Sequence, residues 1–94
     1  MLHTLSHSPG ECDMTTLMAA LSPGDDVLLI QNGVIAALPG PALDLLLAAP
    51  ISVSVLGKDL AARGLAAQIS TAVKRVSYTE FVRLAAQHRA QMAW

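Results

Sequence analysis

The sequence predicts an α/β fold, a three-layer domain in which helices cover a mostly parallel sheet of four to five strands. Two observations carry this prediction. Short apolar runs alternate along the 94 residues with segments of helical spacing, and this alternation is typical of a parallel sheet. The run at 27–30 is apolar without alternation, as expected of a strand that is buried on both faces.

The chain up to residue 56 contains three predicted strands, at 1–6, 26–31 and 51–56. The first helix is predicted over about 14–21 because Asp13 can cap its N-terminus. A second helix is predicted over 42–48, since Pro41 favours a helix start there. Residues 34–38 fit either a strand or a buried helix. The strand at 51–56 alternates with period two, which predicts that one of its faces is less buried.

The second half is predicted to add a short helix, a fourth strand and a long helix. The short helix spans about 58–63 and ends at Gly64, a residue type that favours the position after a helix. The fourth strand is placed at 73–76. Ser77 and Glu80 have the spacing of a capping box and predict a helix over about 78–89. Residues 91–94 are expected to form a tail. With right-handed crossovers, a flavodoxin-like strand order 2-1-3-4 is expected.

The composition predicts contact with another chain. Hydrophobic residues make up 53% of the sequence, and the mean hydropathy is +0.50. The core of one small domain spanning 1–94 cannot easily enclose that much apolar material. We therefore expect a partner or self-association to cover part of the surface.

Charge is unevenly distributed along the chain. Residues 1–57 contain five acidic residues and no Lys or Arg, whereas residues 58–94 contain six basic and two acidic residues. Such a division can orient subunits as they associate. No apolar run reaches the roughly 20 residues of a membrane span, no signal-peptide pattern is present, and one cysteine cannot form an internal disulfide. We therefore expect a cytoplasmic protein without a membrane partner.

The sequence contains few residues arranged for catalysis or ligand binding. A phosphate-binding loop needs several glycines at a strand–helix junction, and Gly33 stands alone. The three histidines, His3, His7 and His88, lack metal-site spacing. The aromatic and basic residues are too few for a nucleic-acid surface. We therefore expect no cofactor, no metal and no direct nucleic-acid contact.

Three places remain as candidate sites. Cys12 precedes the first helix, where a helix N-terminus can lower a thiol pKa, although Glu11 and Asp13 beside it oppose a thiolate. Polar residues follow the buried second strand, at the sheet edge where α/β proteins gather function: Gln31, Asn32 and Gly33. The chain closes with Gln91, Met92 and Trp94, and a terminal tryptophan fits docking on the domain itself or on a neighbouring subunit.

Several segments together resemble the TusB/DsrH family of sulfur-relay proteins. These are MLHTL at 1–5, GD at 24–25 before VLL at 27–29, QNGV at 31–34, DLAARGL at 59–65, YTEFVRL at 78–84 and QMAW at 91–94. No single segment is decisive, but their order and spacing cover essentially the whole chain.

The resemblance implies a DsrE-like fold and a non-catalytic subunit of a TusBCD-type complex, a dimer of three-chain units. TusC-like and TusD-like subunits would be its partners, and the sulfur-bearing cysteine would belong to the TusD-like chain. The complex would pass persulfide sulfur from a TusA-like to a TusE-like carrier for 2-thiolation of the tRNA wobble uridine. The interface candidates are then Gln31, Asn32, Gly33, Gln91, Met92 and Trp94.

Three alternatives stay open on the sequence alone. The chain can be a DsrEFH-type subunit of sulfur oxidation, although members of that branch often carry a cysteine within the first helix, where this chain has Met18. It can be a sulfurtransferase in its own right through Cys12. It can also be a stand-alone flavodoxin-like module that binds a small ligand near residues 31–33.

Overall fold

The computed structural model describes all residues, 1–94. Its strands are β1 (Leu2–Leu5), β2 (Asp26–Leu29), β3 (Ser52–Leu56), β4 (Lys74–Val76) and β5 (Gln91–Ala93). Its α-helices are α1 (Met14–Ala20), α2 (Pro41–Ala48), α3 (Gly57–Ala62) and α4 (Tyr78–Gln87), and a 3-10 helix covers Gln31–Ala37. No helix has the length and apolar character needed to cross a bilayer.

All five strands are parallel and lie in the order β4-β3-β2-β1-β5. The α/β fold with a parallel sheet is confirmed, but the expected order 2-1-3-4 is wrong. From β1 to β4 each connection moves the chain by one position in the same direction. The last connection then returns across the sheet and places β5 on the free side of β1.

This strand order distributes the helices unequally over the two faces. Because right-handed connections that advance in one direction stay on one face, α1, α2 and α3 share a face and α4 covers the other. The larger core therefore contains leucines of three helices: Leu17, Leu43, Leu46 and Leu60. On the second face, the half-buried Phe81 and Leu84 of α4 pack on a smaller cluster.

The last strand was missed by the sequence prediction, which placed a tail at 91–94. β5 pairs with β1, with Gln91 opposite Leu2 and Ala93 opposite Thr4. All its side chains are exposed, so it has no apolar pattern that predicts a strand. Backbone bonds hold it, including a 2.8 Å bond from the Trp94 N–H to the Thr4 carbonyl.

Two predicted helix caps are confirmed by the structure. The Asp13 side chain accepts from the Thr16 N–H at 3.1 Å and begins α1 where predicted. Ser77 and Glu80 form the predicted capping box at the start of α4. The ambiguous stretch 34–38 lies mostly in the 3-10 helix, which buries Val34, Ala36 and Ala37 against the larger core.

Candidate functional site

The polar turn after β2 lies beside α3 at the carboxyl edge of the sheet. Gln31 adopts a positive φ of 50°, which turns the chain out of β2. The Gln31 N–H donates to Asp59 Oδ2 at 2.6 Å. A backbone N–H of the 3-10 helix is thereby bound by a carboxylate from the first turn of α3.

Arg63 adds further hydrogen bonds between the 3-10 helix and α3. Its Nε donates to Asn32 Oδ1 at 3.1 Å, and its Nη1 donates to the Asp59 carbonyl at 3.3 Å. Gln31, Asn32, Asp59 and Arg63 are called the edge cluster below. The cluster is largely solvent-exposed and offers amide, carboxylate and guanidinium groups. It contains no thiol or hydroxyl nucleophile, so its chemistry is that of hydrogen-bonded recognition.

Gly33 fits against the end of β1 because it lacks a side chain. A Cβ built at this position would lie 1.9 Å from the Leu5 carbonyl oxygen and 2.6 Å from the Leu5 carbonyl carbon. The Ile30 N–H donates to the same Leu5 oxygen at 3.0 Å, and the Gly33 N–H donates to the Ile30 carbonyl at 2.8 Å. The glycine therefore fixes how closely the 3-10 helix approaches β1.

The C-terminal tryptophan is bound within its own chain. Trp94 Nε1 donates to His3 Nδ1 at 3.1 Å, and the two rings stack with centroids 6.3 Å apart. The Trp94 carbonyl accepts from the Ser6 N–H at 3.0 Å. His3 is fully buried. Since its Nδ1 is the acceptor, the proton lies on Nε2, which faces Asp25 Oδ2 at 3.0 Å.

Asp25 joins these contacts to the start of the chain. Its Oδ1 accepts from the Met1 amino group at 2.9 Å, and its Oδ2 also accepts from the Ser22 N–H at 2.9 Å. Hydrogen bonds from the amino terminus first, then from Ser22 and His3, hold the pKa of the Asp25 carboxyl well below its ordinary value. We call Met1, His3, Asp25 and Trp94 the terminal network.

The predicted site residues fall into two groups, which the strand order places on opposite sides of β1. Gln31, Asn32 and Gly33 lie in or beside the edge cluster. The other group lies on the far side of β1, where Gln91 and Met92 belong to β5 and Trp94 follows it. Gln91 and Met92 are exposed, whereas Trp94 is half-buried in the terminal network.

Cys12 belongs to neither group and lies in the loop between β1 and α1. It is half-buried against the larger core. Burial, and then the negative charge of Asp13, raise the pKa of its thiol. The surroundings therefore favour a protonated thiol over a nucleophilic thiolate.

The histidines serve separate structural contacts. His3 belongs to the terminal network, and His88 Nε2 contacts Asp26 Oδ2 at 2.7 Å, which ties the end of α4 to the start of β2. Nowhere do three His, Cys, Asp or Glu side chains cluster closely enough to hold a metal ion.

Sequence reasoning missed Asp59, Arg63, His3 and Asp25 as members of these contacts. The side chains that link separate elements bond partners 22 to 91 residues away in the chain, and no local pattern reports such a distance. One signal was available, since both halves of the edge cluster belong to segments that carry the family resemblance.

Trp94→Ala should lower the free energy of unfolding by about 2 kcal/mol, since it removes a half-buried ring and the hydrogen bond to His3. Met92→Ala is the matched control on the same strand, because 44% of Met92 is exposed, and its effect should stay within about 0.5 kcal/mol. Urea unfolding followed by circular dichroism measures both. Equal midpoints for the two variants would mean that Trp94 does not anchor the chain end.

A known protein family matches nearly the whole chain. The DsrH family, described as DsrH like protein, matches residues 7–91. The chain belongs to this family. It is 56% identical over 95 aligned positions to a protein of Erwinia tasmaniensis named Protein TusB, with all of both chains covered.

Solved structures share the fold. The chain superposes on the solution structure of Protein Tm0979 from Thermotoga maritima with a TM-score of 0.69 and 27% identity, covering 94% of both chains. It superposes on the crystal structure of the ychN protein from E. coli with a TM-score of 0.76, covering 99% of this chain and 97% of that one. Identity to ychN is 14%, so that likeness concerns the fold alone.

Proposed function

We propose that this chain is a single-domain, non-catalytic subunit of a cytoplasmic TusBCD-type sulfur-relay complex. The complex would carry persulfide sulfur from a TusA-like to a TusE-like protein for 2-thiolation of the tRNA wobble uridine. TusC-like and TusD-like chains would be the partners. The observation that carries the proposal is an edge cluster that is rich in hydrogen-bonding groups and contains no thiol.

Sulfur relay requires a thiolate that accepts and releases a sulfur atom. The single cysteine, Cys12, lies outside the edge cluster, and its thiol pKa is raised. This supports a role in assembly, with the sulfur-bearing cysteine in a partner. It weighs against a sulfurtransferase that acts through Cys12.

Exposed apolar side chains support a subunit within an assembly. Side chains of this kind occur on both faces of the sheet and at the edge strand: Met1, Ile35, Leu45, Leu47, Tyr78, Val82 and Met92. Their exposed fractions range from 39% to 65%. Tyr78 and Val82 lie one turn apart on α4 and form an exposed apolar pair of the kind that a partner chain covers.

Two observations favour the tRNA branch over sulfur oxidation. α1, the sequence MTTLMAA, contains no cysteine, whereas the resemblance implies that the sulfur-oxidising branch often carries one in this helix. The full-length relative of Erwinia tasmaniensis is named Protein TusB.

Purification of the native assembly tests this proposal. Both chain ends take part in the terminal network, so the affinity tag belongs in the exposed loop at Gly10, where an added Cβ meets nothing within 4 Å. We expect two further small chains in equal amounts, in a species several times the 9.8 kDa of this chain. A monomer that brings no partner would contradict the subunit assignment.

Met92→Glu should reduce partner recovery at least about tenfold, because a charge buried without a partner at an interface costs several kcal/mol. Gln68→Glu is the control, since it adds the same charge at an exposed position outside the candidate residues. Native mass spectrometry of the tagged assembly measures both variants. If Met92→Glu recovers as much partner as the native chain, β5 is not part of the interface.

A further inference from the structure

A cleft of about 350 Å³ lies between α4 and the second face of the sheet. Its floor is formed by β2, β3 and β4, where Ser54 lies directly beside Lys74 in the strand register. Its wall is formed by Glu80, Arg83 and Gln87 on α4. The edge cluster and the terminal network contribute no residue to this cleft, so it is a separate feature of the molecule.

Both carboxylates that line the cleft are already engaged. Asp26 Oδ2 contacts His88 Nε2 at 2.7 Å. Glu80 Oε1 accepts from the Ser77 N–H at 3.1 Å, and Glu80 Oε2 lies 3.9 Å from Lys74 Nζ. The Ser77 bond first, and the Lys74 and Arg83 charges further, lower the pKa of Glu80. Glu80 is therefore an anion that offsets part of the positive charge of the wall.

The hydrogen-bond donors of the cleft, in contrast, are largely free. Ser54 is 7% exposed, yet its hydroxyl forms no hydrogen bond within the chain. The Arg83 guanidinium forms neither a salt bridge nor a hydrogen bond, and the Gln87 side chain is also unbonded. The Ser54 hydroxyl is not sealed in the core, and it opens into a cleft that is also lined by the unpaired Arg83.

We propose that this cleft binds an oxyanion, either a carboxylate or an inorganic oxyanion, between Ser54, Lys74 and Arg83. Arg83 can donate two parallel N–H bonds to such a group, and Lys74 supplies a second positive charge. The Ser54 hydroxyl donates a third contact from the floor. The ligand oxygens satisfy the donors that the chain itself leaves free.

The same chemistry has two sources, a free small anion or an acidic side chain of a bound partner. A free small anion does not depend on the function proposed above, and a chain that purifies alone can still bind it. A partner's acidic side chain, in contrast, requires that this chain assembles with another.

The test is a titration of the ¹⁵N-labelled full chain with sodium acetate and with inorganic phosphate, at constant ionic strength. We expect saturable shifts at the Ser54 and Lys74 amides and at the Arg83 Nε–H. Arg83→Gln and Ser54→Ala should each weaken binding about tenfold, the usual size for losing a bond to a charged group. Arg89→Gln is the matched control, because Arg89 is an exposed, unpaired arginine outside the cleft, and it should leave binding unchanged.

Circular dichroism melts establish that each variant is folded before its titration is interpreted. Shifts that rise linearly without saturation, or an equal loss with Arg89→Gln, would overturn the proposal. The same titration on the assembled complex assigns the source of the anion. If the cleft residues of the complex still shift on adding acetate or phosphate, the ligand is a free anion. If they no longer shift and Arg83→Gln also lowers partner recovery, the ligand is a carboxylate of the partner.

Discussion

Gly33→Ala should lower the free energy of unfolding by about 3 kcal/mol, the upper part of the usual range for overpacking. The added methyl group would collide with the backbone of Leu5, with its carbonyl oxygen only 1.9 Å away. A backbone atom that belongs to the sheet cannot rotate aside as a side chain would. A domain of this size has roughly 5–10 kcal/mol of stability in total, so the loss is a large fraction of it.

Gly10→Ala is the matched control for this variant, because an added Cβ at Gly10 meets nothing within 4 Å. Its effect should stay within about 0.5 kcal/mol. Urea unfolding, with all chains at the same concentration, gives both values. If Gly33→Ala unfolds at the same urea concentration as Gly10→Ala, the close approach of the 3-10 helix to β1 is not a fixed feature of the fold.

Asp25→Asn should lower the free energy of unfolding at pH 7 by about 3 kcal/mol. The substitution keeps the shape of the side chain but removes the charge that faces the Met1 amino group and one of the two oxygens that accept bonds. An amide N–H would then face donors from Met1, His3 or Ser22. Breaking a buried pair by removing one partner commonly costs this much.

The Asp25 effect should depend on pH with a defined sign. The pKa of Asp25 is lowered in the folded chain, so its stabilisation is complete above the unfolded value of about 3.9. It is lost as the pH falls below that value toward the folded pKa. The stability difference between the native chain and Asp25→Asn should therefore shrink below about pH 4.

Glu11→Gln is the control for the pH series, since Glu11 is exposed and pairs with no basic group. Its stability should follow that of the native chain at every pH from 3 to 8. If the stability difference between the native chain and Asp25→Asn stays constant across the acid range, the charge of Asp25 does not stabilise the fold. Asp25 would then act only through the shape of its side chain.

Local physical signals account for what the sequence predicted of the fold. The apolar runs marked four strands, and the caps at Asp13 and Ser77 lie where predicted because a cap is decided within four residues. Strand order is a property of the whole chain. The order 2-1-3-4 failed since nothing local reports that four strands advance in one direction before the chain returns.

The candidate site was predicted in part for the same reason. Gln31 and Asn32 were found because they follow a buried strand, but their contacts with Asp59 and Arg63 depend on β2 and β3 being neighbours. Trp94 stood out as a costly apolar group at a chain end. Its place against His3 required the β1–β5 pairing, which three exposed residues of ordinary composition do not signal.

We propose that this chain is required for sulfur relay without carrying sulfur itself. Cys12→Ser tests it most directly, because the variant contains no cysteine at all. The measurement is the 2-thiouridine content of wobble positions in tRNA from a strain that lacks this chain, complemented with the native chain, with Cys12→Ser or with an empty vector. We predict full thiolation with the native chain and with Cys12→Ser, and loss with the empty vector. Loss with a folded Cys12→Ser chain, or full thiolation with the empty vector, would contradict the account.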